Sequence, residues 1–178
     1  FGGAIETNGG DNDILTITSG TGDVTFSGAL GVTNELGGLN VNASTGNGNI
    51  TFTGNIGASA TKAGVIGTTL IGNNTTNDLN FNSTIYSFDG ATTITAATGD
   101  TIDIGAGGAT SFTTAADNIT FATGNIELAN GSNLTVDTGA TGGNITIGEI
   151  AGTSVETVTL DAGTGTTSVG VIGNGTEI

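Results

Sequence analysis

A tripeptide pattern, apolar–polar–apolar, recurs along this chain at a nearly constant interval and limits the fold more than any other feature. Val24-Thr25-Phe26, Ile50-Thr51-Phe52, Ile119-Thr120-Phe121 and Ile145-Thr146-Ile147 each place two apolar side chains on one side and a threonine on the other. Leu15-Thr16-Ile17, Leu39-Asn40-Val41, Leu79-Asn80-Phe81, Ile102-Asp103-Ile104, Leu134-Thr135-Val136 and Val158-Thr159-Leu160 follow the same rule. Successive side chains of a strand point to opposite faces, so the pattern reads as very short strands with one face buried. The β-branched residues that dominate them suit a pleated surface. Turns rich in Gly, Asn, Asp and Thr separate them, as at Thr21-Gly22-Asp23, Gly46-Asn47-Gly48-Asn49 and Gly142-Gly143-Asn144. No segment carries an i, i+3, i+4 apolar stripe, and Gly or Thr interrupts each window of helical length.

The interval decides how the strands assemble. Val24 to Ile50 and Ile119 to Ile145 are both 26 residues, whereas Leu15 to Leu39 and Leu134 to Val158 are both 24. Asp137 and Asp161 follow the last two strands at the same offset. The middle is looser, with 29 residues from Ile50 to Leu79 and 23 from Leu79 to Ile102. A unit of about 24 residues, repeated about seven times, therefore covers the chain. One unit of three short strands cannot enclose a core, but units stacked in register bury a continuous one. The expected fold is all-β: a parallel β-helix, or β-solenoid, occupying residues 1–178 as a single segment. At a rung spacing of about 4.8 Å it would form a rod about 35 Å long. An antiparallel sandwich or barrel is the alternative, and would show two-residue hairpin turns between longer strands.

Two oddities of composition fit this reading. The chain has 34 Gly and no Pro. A strand with neighbours on both sides uses each backbone N–H, and a proline would remove a ladder bond. A coil that turns about three times needs residues tolerant of positive φ, which Gly and Asn supply. Hydrophobic residues make up 35% and charged residues only 10%, a balance unlike that of disordered chains. No run of 18 apolar residues marks a membrane span.

Composition also excludes chemistry. Without Cys or His there is no disulfide, zinc site, haem ligation or thiol nucleophile. Lys62 is the one Lys or Arg, so general-base and Schiff-base catalysis have few residues to draw on. A formal charge of −15 repels nucleic acid. The expectation is a protein without catalytic, cofactor-binding or metal-ligating residues, and so not an enzyme.

Several residues are nevertheless candidates for a site. Asp11 and Asp13, in Gly9-Gly10-Asp11-Asn12-Asp13, match a shortened calcium-binding nonapeptide, but the pattern occurs once and is a residue short. They are read as a polar turn. Asp100 and Asp103 could pair like glycosidase carboxylates, yet the basic and aromatic residues that bind sugar are nearly absent, and solvated side chains are expected. The threonines of Thr16-Ile17-Thr18, Thr51-Phe52-Thr53 and Thr157-Val158-Thr159 have the spacing of an ice-binding face but do not recur on consecutive coils. Asn74-Thr75-Thr76 and Asn118-Ile119-Thr120 match glycosylation acceptors by chance in so Asn- and Thr-rich a chain. Lys62 is expected on a loop that bulges from the rod, and Tyr86 and Phe88 in the core.

The stretch Leu39 to Gly57, with Leu134 to Gly148 and Val158 to Gly173 as weaker copies, resembles the repeats of filamentous haemagglutinin-like and autotransporter-passenger bacterial surface proteins. The resemblance implies a right-handed helix, displayed outside the cell as a stalk or adhesive fibre. The chain starts at Phe1 and holds no Met, and is expected to be a segment of a longer repetitive protein. Self-association through exposed end coils is the expected partnership, with a host-cell or carbohydrate ligand left open and no nucleic acid or membrane insertion. The alternatives are an acidic surface-layer or sheath subunit, a carbohydrate-active β-helix and a calcium-binding module.

Overall fold

A computed structural model describes residues 1–9, 13–42, 47–59 and 61–173. Among them lie sixteen strands, three to eight residues long, and no helix. They wind as a parallel β-solenoid of about six turns, with equivalent residues about 24 apart. This is close to the expected seven coils, since each face stacks seven members and seven members span six steps. Ile5 forms a single bridge to Leu30 at one end, and one last strand crosses two faces at the other.

Each turn visits three faces. The first holds β1 (Ile14–Ile17), β3 (Gly38–Val41), β5 (Thr69–Gly72), β8 (Thr92–Thr95), β11 (Ile119–Phe121) and the beginnings of β14 (Ile145–Gly152) and β16 (Thr167–Ile172). The second holds β2 (Val24–Phe26), β4 (Ile50–Phe52), β6 (Leu79–Phe81), β9 (Thr101–Ile104), β12 (Asn125–Leu128) and the far halves of β14 and β16. The third holds β7 (Ile85–Ser87), β10 (Ala109–Thr113), β13 (Asn133–Asp137) and β15 (Val158–Asp161). Single bridges Ile5–Leu30–Ile56–Tyr86 continue that third column toward the chain's start. All pairings between these strands are parallel, because the chain returns to a face only after a full turn and in the same direction.

The register is the one that the tripeptide alignment dictates. Leu15 lies beside Leu39, Val24 beside Ile50, Ile50 beside Leu79, Leu79 beside Ile102, Ile119 beside Ile145 and Leu134 beside Val158. A slip of one residue would turn each inward side chain outward, so burial pins the alignment. The uneven spacings are absorbed between rungs. Ile56 and Val65 bridge to Tyr86 and Phe88, so a stretch of chain that spans nine positions on one rung faces two on the next. The surplus forms a small hairpin in which Ser59 and Lys62 bridge antiparallel. Lys62 thus sits on a bulging loop, as expected, and its Nζ donates to the Thr33 carbonyl at 3.0 Å.

Inside, side chains stack at the spacing of the rungs. Phe26, Phe52 and Phe81 form a column with ring centroids 4.8 and 5.4 Å apart and planes tilted by 5° and 8°. Phe1 adds a ring outside Phe26. Beyond Phe81 the aromatic contact turns edge-on to Tyr86 and Phe112, which stack on each other, and then reaches Phe121. Tyr86 and Phe88 are both buried, as expected. The Tyr86 hydroxyl accepts from the Ser83 N–H at 2.8 Å, and burial holds the phenol well above its ordinary pKa. Farther along, Ile102, Ile126 and Ile150 continue the second face, and Val136 and Leu160 the third, as aliphatic columns.

Some corner glycines serve a purpose other than positive φ. A Cβ on Gly54 would lie 2.4 Å from the Gly28 carbonyl oxygen, and one on Gly28 2.1 Å from that of Gly3. Neither residue has a positive φ. Stacked turns approach so closely there that any side chain would meet the backbone of the rung below.

Asn and Asp at strand entrances tie one turn to the next. The Asp23 carboxylate accepts from the Asn49 N–H, and Asp78 accepts from the Thr101 N–H and hydroxyl. Asn118 accepts from the Asn144 N–H, and Asn144 in turn from the Thr166 N–H and hydroxyl. Asn133 does the same for Thr157. In each case the acceptor lies on the earlier turn, so these side chains satisfy backbone donors that flank the strands.

Candidate functional site

The outward residues of each face determine what the rod offers to other molecules. On the second face the outward column runs Thr25, Thr51, Asn80, Asp103, Glu127 and Ala151. Asp103 and Glu127 therefore stand on neighbouring parallel strands, like charge beside like charge. Partial burial of Asp103 raises its pKa; the Thr101 hydroxyl works against this, and Asp78 and Glu127 add to it. The carboxylates acting on Asp103 are thus those of adjacent turns. The pairing of Asp103 with Asp100 weighed from the sequence is not what this column builds, since Asp100 lies in the turn before β9 with its N–H bonded to the Ala97 carbonyl.

The other sequence candidates separate in the same way. Asp11 lies outside the described residues. Asp13 is exposed, and its carbonyl accepts from the Gly37 N–H. Among the described residues no group of three or more acidic side chains is placed to hold a metal ion. Thr93, Thr120 and Thr146 share one outward column of the first face. The column is one threonine wide, because Asn118 and Ala122 flank Thr120 on that surface. Among the sequence triplets, Thr16 faces Asn40 on the next rung and Thr51 faces Asn80, so no double threonine row forms. Asn118 is engaged with Asn144, whereas Asn74 is exposed in a turn.

Two glutamates that the sequence did not single out organise loops. Glu6 accepts from the Val32, Thr33 and Asn34 N–H groups, at 2.8 to 3.1 Å. Glu156 accepts from the Thr153 and Ser154 N–H groups at 3.0 and 2.9 Å and from the Ser154 hydroxyl at 2.7 Å. The Ser154 N–H is the largest cause of a Glu156 pKa lowered to about 2, outweighing desolvation. A signal for this was present in Thr153-Ser154-Val155-Glu156, a hydroxyl pair followed closely by an acid that can fold back on it.

A groove of about 540 Å³ opens beside the third face, where the hairpin carrying Lys62 leaves the rod. Its floor follows Ser87, Thr113 and Asp137, which are register partners on consecutive turns. Its walls include Glu35, Asp89 and Ile66. Sequence reading placed the loop but not the groove, because the floor comes from three turns far apart in the chain.

Comparison with protein-family models, with curated proteins and with solved structures finds no match to this chain. Its function is therefore argued from the surfaces themselves.

Proposed function

We propose that this chain is a rigid rod segment of an extracellular bacterial surface protein, a stalk or adhesive fibre that associates through its end rungs. The observation that carries the reading is the state of those rungs. Among the described residues β1 pairs only with β3, β15 only with β13 and β16 only with β14. Their inward residues Leu15, Ile17, Val158, Leu160 and Val169 are only partly covered, unlike the fully buried columns between them. Phe1, Val171 and Ile172 are exposed beside them. An open strand edge above a half-covered apolar rung is a template for another strand, from further coils or from a second copy. The charge of −15 opposes side-by-side aggregation and favours contact at the ends, where the backbone ladder supplies the attraction. Location outside the cell rests on the resemblance of the repeats.

The test is sedimentation and electron microscopy of the purified chain across a wide concentration range. Elongated particles that lengthen with concentration and show an axial repeat of about 4.8 Å are the expected result. A strictly monomeric chain at high concentration would overturn association through the ends. Two-dimensional arrays would instead point to a surface-layer subunit, and a melting temperature that moves with Ca²⁺ or EDTA to a calcium-stabilised module.

A further inference from the structure

The groove beside the Lys62 hairpin has a chemistry that the rod reading does not use. Its volume of about 540 Å³ falls within the range of binding clefts. Three carboxylates line it, those of Glu35, Asp89 and Asp137, against the single ammonium of Lys62. That ammonium is held by the Thr33 carbonyl. The groove is thus negative within a chain already at −15. Along the floor, Ser87, Thr113 and Asp137 follow one another on consecutive turns ~4.8 Å apart. The buried Ser87 and Thr113 hydroxyls are bonded to each other at 3.0 Å, so the Asp137 carboxylate is the floor group that faces an extended ligand lying along the axis. Beside the carboxylates lie apolar surfaces of Ile66 and Ala115, and Ile66 is exposed. Such surfaces take the methylene stem of a long cationic side chain while the carboxylates take its head.

We propose that this groove binds an extended basic segment of a partner protein, with Lys or Arg side chains directed at Asp89, Asp137 and Glu35. The acidic field of the whole chain would speed the encounter, and the groove would supply the register. A neutral glycan has less to gain here, since the aromatic platforms of this protein, Tyr86 and Phe112 among them, are buried in the core. The inference stands apart from association through the ends, because the groove lies on the side of the rod.

The experiment titrates the intact chain with a labelled tetra-arginine peptide, with tetra-glutamate and chitotetraose as comparison probes. Backbone amide shifts are followed by nuclear magnetic resonance. The expected result is saturable binding of tetra-arginine alone, with shifts concentrated at residues 61–66, 87–89, 113–115 and 137–139. Asp89→Asn combined with Asp137→Asn should weaken binding about tenfold. Asp137→Asn keeps an acceptor oxygen for the Gly139 N–H, so the turn survives. Asp103→Asn combined with Glu127→Gln removes the same charge from another face and should change affinity less than about twofold. Equal loss from both pairs would reduce the effect to net charge and overturn the proposal. So would shifts mapping elsewhere, saturation by chitotetraose in place of tetra-arginine, or no saturation by any probe.

Discussion

Eight residues separate β3 from β4 in sequence, residues 43–46 lying outside the described ones, whereas β14 runs unbroken through the corner between the first and second faces. Between those extremes the corner takes six residues after β5, five after β8 and three after β11. The early turns, with long corners and an inserted hairpin, are filled by stacked rings at Phe26, Phe52 and Phe81. The later turns, with an even interval of 24 residues from Ile102 to Ile126 and on to Ile150, are filled by aliphatic columns. Corner length and register are therefore separable. The inward residues set the register, and surplus chain leaves the rung wherever polar groups can anchor it. In the early corners that anchor is Asn42, which accepts from Ser19 at 2.6 Å and donates to Thr76 at 3.3 Å.

The largest test of this contrast is truncation of one column in each half. Phe81→Ala removes a ring that stacks on Phe52 and meets Tyr86 and Phe112 edge-on, and should cost about 3–5 kcal/mol by urea denaturation. Ile126→Ala, fully buried in the later turns, should cost less, at about 2–4 kcal/mol. Equal losses would show that the stacked rings and the aliphatic columns hold their turns equally well.

A smaller effect is expected where the halves join. Thr69 and Thr92 are register partners on the first face and both point inward. The Thr92 hydroxyl donates to the Gly90 carbonyl at 3.1 Å, whereas the Thr69 hydroxyl is buried without a partner. Thr69→Val keeps the shape and removes an unsatisfied group, so it should stabilise the chain by about 1 kcal/mol. Thr92→Val should destabilise it by a similar or smaller amount. The same sign for both would show that the hydroxyls are not what distinguishes them.

The smallest effects sharpen the picture of the later turns through pH. The Glu156 pKa falls from an ordinary 4.5 to about 2 on folding. Its contribution to stability is therefore present above about pH 4.5 and lost as pH falls toward 2. Glu156→Gln should lower the melting temperature at neutral pH and converge with the parent at pH 2. Asp103 has the opposite sign, because its folded pKa is raised. Asp103→Asn should gain less than about 1 kcal/mol at neutral pH, discounted for solvent, and the gain should vanish once the parent is protonated. A gain unchanged down to pH 2 would show that neither partial burial nor the neighbouring Asp78 and Glu127 raises the Asp103 pKa.

Much of this architecture was legible before any coordinates. The tripeptides placed ten of the sixteen strands, β5, β7, β8, β10, β12 and β16 not being among them, and spacings from Leu15 to Leu39 and from Val24 to Ile50 gave the register partners directly. Even the longer step from Ile50 to Leu79 aligned correctly, because burial of two alternate residues per rung leaves one solution. The continuation of Ile145-Thr146-Ile147 through Gly148 into the second face was not legible. A sharp corner without a turn residue pair looks like any other glycine. Nor were the loop-holding roles of Glu6 and Glu156, since each depends on backbone N–H groups that only the folded turn points at one place.

By itself, then, the order of residues determined the all-β class, the stacked coils, the absence of proline and the inward columns. These follow from local alternation and a repeat, which are properties of the chain. The tertiary structure alone decided which carboxylates are neighbours, that Asp103 meets Asp78 and Glu127, and that Ser87, Thr113 and Asp137 line one groove. Stacking joins residues roughly one turn apart, and small changes in corner length choose which outward side chains share a column.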